Sequence, residues 1–306
     1  MQTTVRKAIT IHGKGLHSGA PAVLRILPAS ANYGIWFRRV DITDRDSLIP
    51  ALYDYVNDTR LCTRIANDAG VEVSTIEHLM AALSGTGVHN ALIDIDGPEV
   101  PIMDGSAEPF VAAIMKTGVV ALDAPVRAIR MTKPVSIRVD DVEVSLEPSE
   151  TLEIEFEIDF EDQAIGAQHK ALNMSNGSFV RELSDCRTFC LNRDVQMMQS
   201  IGLAQGGGLD NAIVVDNGTV LNPEGFRRAD ECVRHKMLDA LGDLYLAGRP
   251  ILGRYTAKRG GHRTTNLLLR ELFAHPECWE LVECDPHQND NLPGAHIRPD
   301  DLRRSA

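Results

Sequence analysis

Positive charge is in short supply in this 306-residue chain: 31 Lys and Arg stand against 43 Asp and Glu, a formal net charge of −12. Such a surface repels a nucleic-acid backbone, and aromatic residues, at 5%, are too few to serve as base-stacking platforms. No nucleic-acid partner is expected. No apolar run approaches the roughly 18 residues needed to cross a bilayer, and residues 1–7 lack the apolar segment of a secretory signal. Cysteine is sparse and unpaired in pattern: Cys62, Cys186, Cys190, Cys232, Cys278 and Cys284 contain no CxxC, which excludes a disulfide framework and fits a reducing compartment. An isolated Cys186-x3-Cys190 pair is a weak metal signal. The expectation is a cytoplasmic protein without a membrane span.

What remains is an ordinary globular composition, 43% apolar and 24% charged, at a length that suits about two domains. Residues 71–73, 91–95, 142–146 and 152–156 read as strands, most by period-two alternation. A helix over about 107–117 ends before Asp123-Ala124-Pro125, where fresh strand signals begin. The division expected is 1–125 and 126–306. Both halves carry a helix, a glycine-containing turn and a strand: 75–83 then 91–95, and 232–246 then 251–256. This order permits a duplicated architecture, and the fold class expected is α+β in two domains of similar topology.

The second of those helices is the most informative stretch. At 3.6 residues per turn, His235, Asp239 and Asp243 fall on one stripe, while Met237, Leu238, Leu241 and Leu244 lie largely elsewhere and can face a core. An imidazole and a carboxylate one turn apart can grip one divalent ion; a solvated face with an i,i+4 pair has the same pattern. In the first helix, Ser74 and Glu77 have the S-x-x-E spacing of a capping box. The other reading of the same segment makes His78 a metal ligand and Glu77 a proton acceptor. Gly260-Gly261-His262 reads as a loop histidine suited to proton transfer, or as a plain turn, and His17 within Gly15-Leu16-His17-Ser18-Gly19 reads the same way. The run Gly206-Gly207-Gly208 is no dinucleotide fingerprint, because no strand and helix frame it.

Taken in order, Gly15-Leu16-His17-Ser18-Gly19, Ser74-Thr75-Ile76-Glu77-His78-Leu79, Glu99-Val100-Pro101-Ile102-Met103-Asp104-Gly105-Ser106-Ala107, Arg187-Thr188-Phe189, Asp210-Asn211-Ala212-Ile213-Val214-Val215, the helix 233–244 and Gly261-His262 make the chain similar to one family. It resembles the zinc-dependent UDP-3-O-acyl-N-acetylglucosamine deacetylases of bacterial lipid A synthesis. The resemblance spans nearly the whole chain. It implies two α+β domains with the active site between them, a zinc ion held by His78, His235 and Asp239, and hydrolysis of the 2-acetamido group of a UDP-linked, 3-O-acylated glucosamine. Three protein ligands is the count of a catalytic rather than a closed structural site. Glu77 matches the general base, Thr188 the hydroxyl beside the tetrahedral oxyanion, His262 a protonated acid and Asp243 the carboxylate that orients it.

The resemblance also suggests where the substrate lies. Lys236 matches a position near the diphosphate, and Arg259 stands where lysine is frequent; Phe160 and Asp159 match nucleoside contacts. Phe189, Cys62 and His17 belong with the substrate pocket, and residues 189–201 resemble an insert around the acyl chain. Arg60, Cys190 and Gly208 depart from the common residues near that pocket, which bears on chain length rather than chemistry. Two alternatives stay open from the sequence: a metal-dependent hydrolase of another amide, and a non-catalytic zinc-stabilised binding protein. A monomer is expected.

Overall fold

The computed structural model describes residues 1–303; the last three residues of the expected second domain, 304–306, lie outside the described residues. Two β-sheets dominate, each drawn from one part of the chain. The first has five strands in the order Ile9–Lys14, Pro21–Pro28, Ala91–Ile95, Ile35–Arg39, Leu48–Pro50. Alternation explains its buried face: Ala22, Leu24 and Ile26 of the second strand point inward while Pro21, Arg25 and Pro28 are exposed or partly so. Its two helices are α1 (Glu77–Gly85) and α2 (Glu108–Thr117), which supply Leu79, Leu83, Phe110 and Val111 to the core.

The second sheet has seven strands. Five of them repeat the first sheet's order: Val135–Val139, Val142–Glu147, Ile251–Lys258, Leu152–Asp159 and Ala167–Asn173. In both sheets the central strand runs antiparallel to the preceding hairpin and parallel to the strand on its other side. The strand Leu152–Asp159 buries Leu152, Ile154, Phe156 and Ile158 and turns Glu153, Glu155 and Glu157 outward. Arg127–Met131 and Trp279–Glu283 extend this sheet. Between the strand Ala167–Asn173 and the central strand Ile251–Lys258 come α3 (Ser178–Glu182), α4 (Asn192–Ser200) and α5 (Glu231–Leu244), and α6 (His262–Ala274) follows the central strand. The fold is α+β, with the helix–turn–strand unit read twice in the sequence occupying matched places: α1 leads into 91–95, and α5 into 251–258. No helix among the described residues is long and apolar enough to cross a membrane.

The two halves meet through α1 and α5. All nine residues of α1 are buried, as is every residue of α5 except Lys236. Gly242 permits the close crossing: a Cβ there would sit 2.1 Å from the Glu77 carbonyl oxygen. The Tyr245 hydroxyl, just past α5, adds a 2.8 Å hydrogen bond to the Val88 carbonyl.

Two local readings are corrected. The capping box does not form: α1 starts at Glu77 with Ile76 as its helical N-cap residue, and the Ser74 hydroxyl donates instead to the Pro98 carbonyl. Ser74 is held in a β-bridge with Glu99, and Thr75 takes a left-handed conformation (φ 58°) that turns the chain into the helix. Nor is His262 a loop residue. It opens α6, because extended Gly261 ends the preceding segment and its N–H donates to the Thr264 hydroxyl.

Candidate metal centre and its cavity

The crossing of α1 and α5 sets three potential ligands face to face. His78 lies in the first turn of α1; His235 and Asp239 lie one turn apart on α5. Their Nε2 atoms are 3.6 and 3.4 Å from Asp239 Oδ1, and the two rings meet edge to face at 5.0 Å. The three ligand atoms lie within 4.8 Å of one another. Asp239 Oδ1 is buried without a hydrogen-bond partner, a costly state for a carboxylate oxygen unless something positive meets it. Two imidazole nitrogens and one carboxylate oxygen are a donor set that suits a divalent transition metal. The residues present therefore fit a metal ion.

The surroundings hold these groups in ligand form. Nδ1 of His235 is 3.0 Å from the Cys186 carbonyl, which can only accept, so Nδ1 carries the proton and Nε2 presents its lone pair to the centre. Burial pulls the His235 imidazole down to about 4, keeping it neutral at physiological pH. Burial opposes the Asp239 charge, yet the imidazoles and the Lys236 ammonium around it hold the carboxyl well below its usual range. Lys236 Nζ donates to Asp239 Oδ2 at 2.8 Å.

Glu77 and His262 flank the triad. Oε2 of Glu77 accepts the Thr63 backbone N–H at 3.0 Å, leaving Oε1 facing His262 Nε2 at 4.0 Å. Burial pushes the Glu77 carboxyl up. Nδ1 of His262 is 2.8 Å from Asp243 Oδ2. Burial pulls that imidazole down, but Asp243, Glu77 and Asp239 override it and raise it to about 9.

The centre opens into a cavity of about 830 Å³ whose wall includes Thr188, Phe189, Phe160, Lys236, Arg259 and His17. Phe160 and Phe189 stack edge to face at 5.4 Å. Leu191, Val195, Met197 and Met198 of the 189–201 segment line the cavity, whereas Ile201 is 67% exposed and does not. Arg60, Cys190 and Gly208 line it too. Cys62 sits deeper, in a small recess beside Glu77 and His78; burial and the Glu77 charge push its thiol up to about 12. Asp159 does not line the cavity: its carboxylate engages Arg259, which also meets Asp141.

A family model described as LpxC, UDP-3-O-acyl N-acetylglycosamine deacetylase, matches residues 2–274. The chain belongs to that family. Three relatives named UDP-3-O-acyl-N-acetylglucosamine deacetylase are similar over most of its length. That of Shewanella frigidimarina is 44% identical over 300 residues, 96% of this chain and 98% of the relative. That of Shewanella oneidensis is 43% identical over 302 residues, 97% of this chain and 98% of the relative. That of Myxococcus xanthus is 47% identical over 281 residues, 92% and 89% respectively.

Some residues that shape the centre carried no roles in the sequence. Glu99, buried, accepts the N–H groups of His17 and Ser18 at 2.8 Å each and the Thr75 hydroxyl at 3.0 Å, tying the 15–19 loop to the start of α1. Arg187, also buried, pairs with Glu231 at 3.0 Å and fixes the 186–189 segment against the head of α5. Both stand inside family-like strings, which was the one signal available. Thr63 stands in none.

Proposed function

We propose that the chain is a zinc-dependent deacetylase that hydrolyses the 2-acetamido group of UDP-3-O-(3-hydroxyacyl)-N-acetylglucosamine to acetate and the free amine, the committed step of lipid A biosynthesis. One observation carries the reading beyond family membership. A buried His78–His235–Asp239 triad with an unpartnered carboxylate oxygen is flanked by a carboxylate and a histidine, and it opens into an apolar-walled cavity.

His78, His235 and Asp239 would hold the zinc ion, which when bound would supply Lewis-acid polarisation of the acetamido carbonyl. Glu77 takes a proton from the attacking water at Oε1, its basicity raised by burial. The Thr188 hydroxyl donates to the oxyanion that develops on the carbonyl oxygen. His262, protonated through its contact with Asp243, delivers a proton from Nε2 to the departing amine nitrogen. The acyl chain lies along Leu191, Val195 and Met198, where each buried methylene contributes about 0.8 kcal/mol. Lys236 spends one of its three donors on Asp239 and keeps the others for the diphosphate. Arg259 reaches a phosphate only by exchanging its carboxylate partners Asp141 and Asp159. Phe160 supports the nucleoside end; His17 and Cys62 border the sugar. In this reading the chain divides near residue 125, works in the cytoplasm, and acts as a monomer.

The test is acetate release from the UDP-3-O-(3-hydroxyacyl) substrate before chelation, after it, and with zinc returned. Activity that vanishes and returns is the expected result. A metal-loaded, folded protein that releases no acetate would sink the substrate assignment and favour another amide hydrolase.

A further inference from the structure

We propose that Thr63 is a positioning residue that sets the acid and the base of this centre from a single point on the chain; the inference rests on the roles given above to Glu77 and His262. Thr63 is 1% exposed and lies just before the strand Arg64–Ala66. Its backbone N–H donates to Glu77 Oε2 at 3.0 Å, and its hydroxyl donates to Asp243 Oδ1 at 2.6 Å. Its carbonyl accepts the Ile76 N–H at 3.3 Å, one residue before α1. The residue thus touches the heads of two functional chains that come from α1 and from α5 with α6.

The two contacts do different things. The backbone contact occupies one Glu77 oxygen and leaves Oε1 as the oxygen that faces His262. The hydroxyl contact completes Asp243, whose other oxygen is on His262 Nδ1. With both oxygens engaged, the carboxylate cannot turn, and the imidazole is aimed with Nε2 toward Glu77. Removing the hydroxyl strands Asp243 Oδ1 in a buried place, and a carboxylate so stranded reorients to recover a partner. A side-chain change at 63 leaves the backbone contact intact, so valine, matched in shape but lacking a donor, isolates the Asp243 arm. The hydrogen bonds described for Thr63 go to Glu77, Asp243 and Ile76, none of them a candidate metal ligand.

The experiment compares wild type, Thr63→Val, Thr63→Ser, His262→Ala and the Thr63→Val/His262→Ala double variant, measuring kcat, KM and bound zinc. Thr63→Val is expected to lower kcat about tenfold, the scale of a lost outer-shell partner, with KM and zinc content unchanged. Thr63→Ser restores the rate. In the His262→Ala background the valine costs nothing further, because its effect passes through that histidine. A valine variant as fast as wild type overturns the proposal, as does a tenfold loss that persists without His262. If the valine protein does not fold, alanine at 63 takes its place in the same cycle. A wild-type protein that releases no acetate defeats the function reading and this inference with it; an active wild type with an additive cycle defeats this inference alone.

Discussion

His262 sits where a cation is most needed and most expensive. Its imidazole, raised to about 9 by Asp243, Glu77 and Asp239 against the pull of burial, is protonated throughout the neutral range. A raised value means that its contribution to stability is fully present below the ordinary histidine range and is lost as pH climbs through about 9. In the proposed mechanism, the proton that His262 would donate is lost as pH climbs through about 9. The pH profile of kcat is therefore expected to fall on its basic side near 9, and Asp243→Asn, which removes the counter-charge, to move that limb to lower pH. An Asp243→Asn limb that stays in place assigns it to another group. Glu77→Gln should keep the metal and lower kcat by about 10² to 10⁴, the range for a lost general base, while His235→Ala should lose metal and activity together. Bound zinc measured beside turnover separates the two cases. Which of these residues could be read in the sequence follows from distance along the chain. His235, Asp239 and Asp243 were legible as one stripe because helical spacing alone aligns them. Thr63 was not, since its hydroxyl partner is 180 residues away, and Glu99 grips a loop 82 residues before it. The Ser74–Glu77 spacing misled because a bridge to Glu99 had already claimed Ser74's backbone.

At the scale of elements, the centre depends on how closely α1 approaches α5. Sequence signals located both helices and the strands near 91–95, 142–146, 152–156 and 251–256, but not Ile9–Lys14, Pro21–Pro28 or Ile35–Arg39 of the first sheet. They could not show the crossing, which rests on one glycine. At Gly242 an added Cβ would meet the Glu77 carbonyl oxygen at 2.1 Å and the Ala81 nitrogen at 3.1 Å. Both are backbone atoms and cannot swing aside as a side-chain end does. Gly242→Ala is therefore expected to push the helices apart and to destabilise the fold by about 1–3 kcal/mol, the usual cost of overpacking. Zinc affinity, measured by competition with a chromophoric chelator, should fall although every ligand is retained, because His78 moves with α1 and Asp239 with α5. An alanine variant with unchanged affinity and unfolding temperature would show that the helices slide without separating the ligands. The start of α6 teaches the same lesson from the other side: a Gly-Gly-His string looks like a loop until the Thr264 hydroxyl caps it, and the cap is what fixes His262.

For the whole molecule, the repeated strand order places α1 and α5 in matched positions on two sheets, and the helix pair forms the seam between them. His78 comes from the first sheet's helix and His235 with Asp239 from the second's. A metal held there ties the two parts of the chain together, and it can do so only in the native state, since the unfolded chain has His78 and His235 far apart. An ion that binds the folded form alone stabilises it by RT ln(1 + [L]/Kd), about 2.7 kcal/mol at a hundredfold excess over Kd. Chelation should accordingly lower the unfolding temperature in a calorimetric scan, and added zinc should restore it in a concentration-dependent way. The seam predicts more than stabilisation by any bound ion. His235→Ala should erase the response to zinc, whereas Glu77→Gln, beside the site but outside the ligand set, should retain it. Amide exchange should slow on zinc addition in both 77–85 and 231–244, because the ion clamps one helix to the other. Protection confined to 231–244 would mean that His235 and Asp239 hold the ion without His78, and that the metal does not join the two parts of the fold.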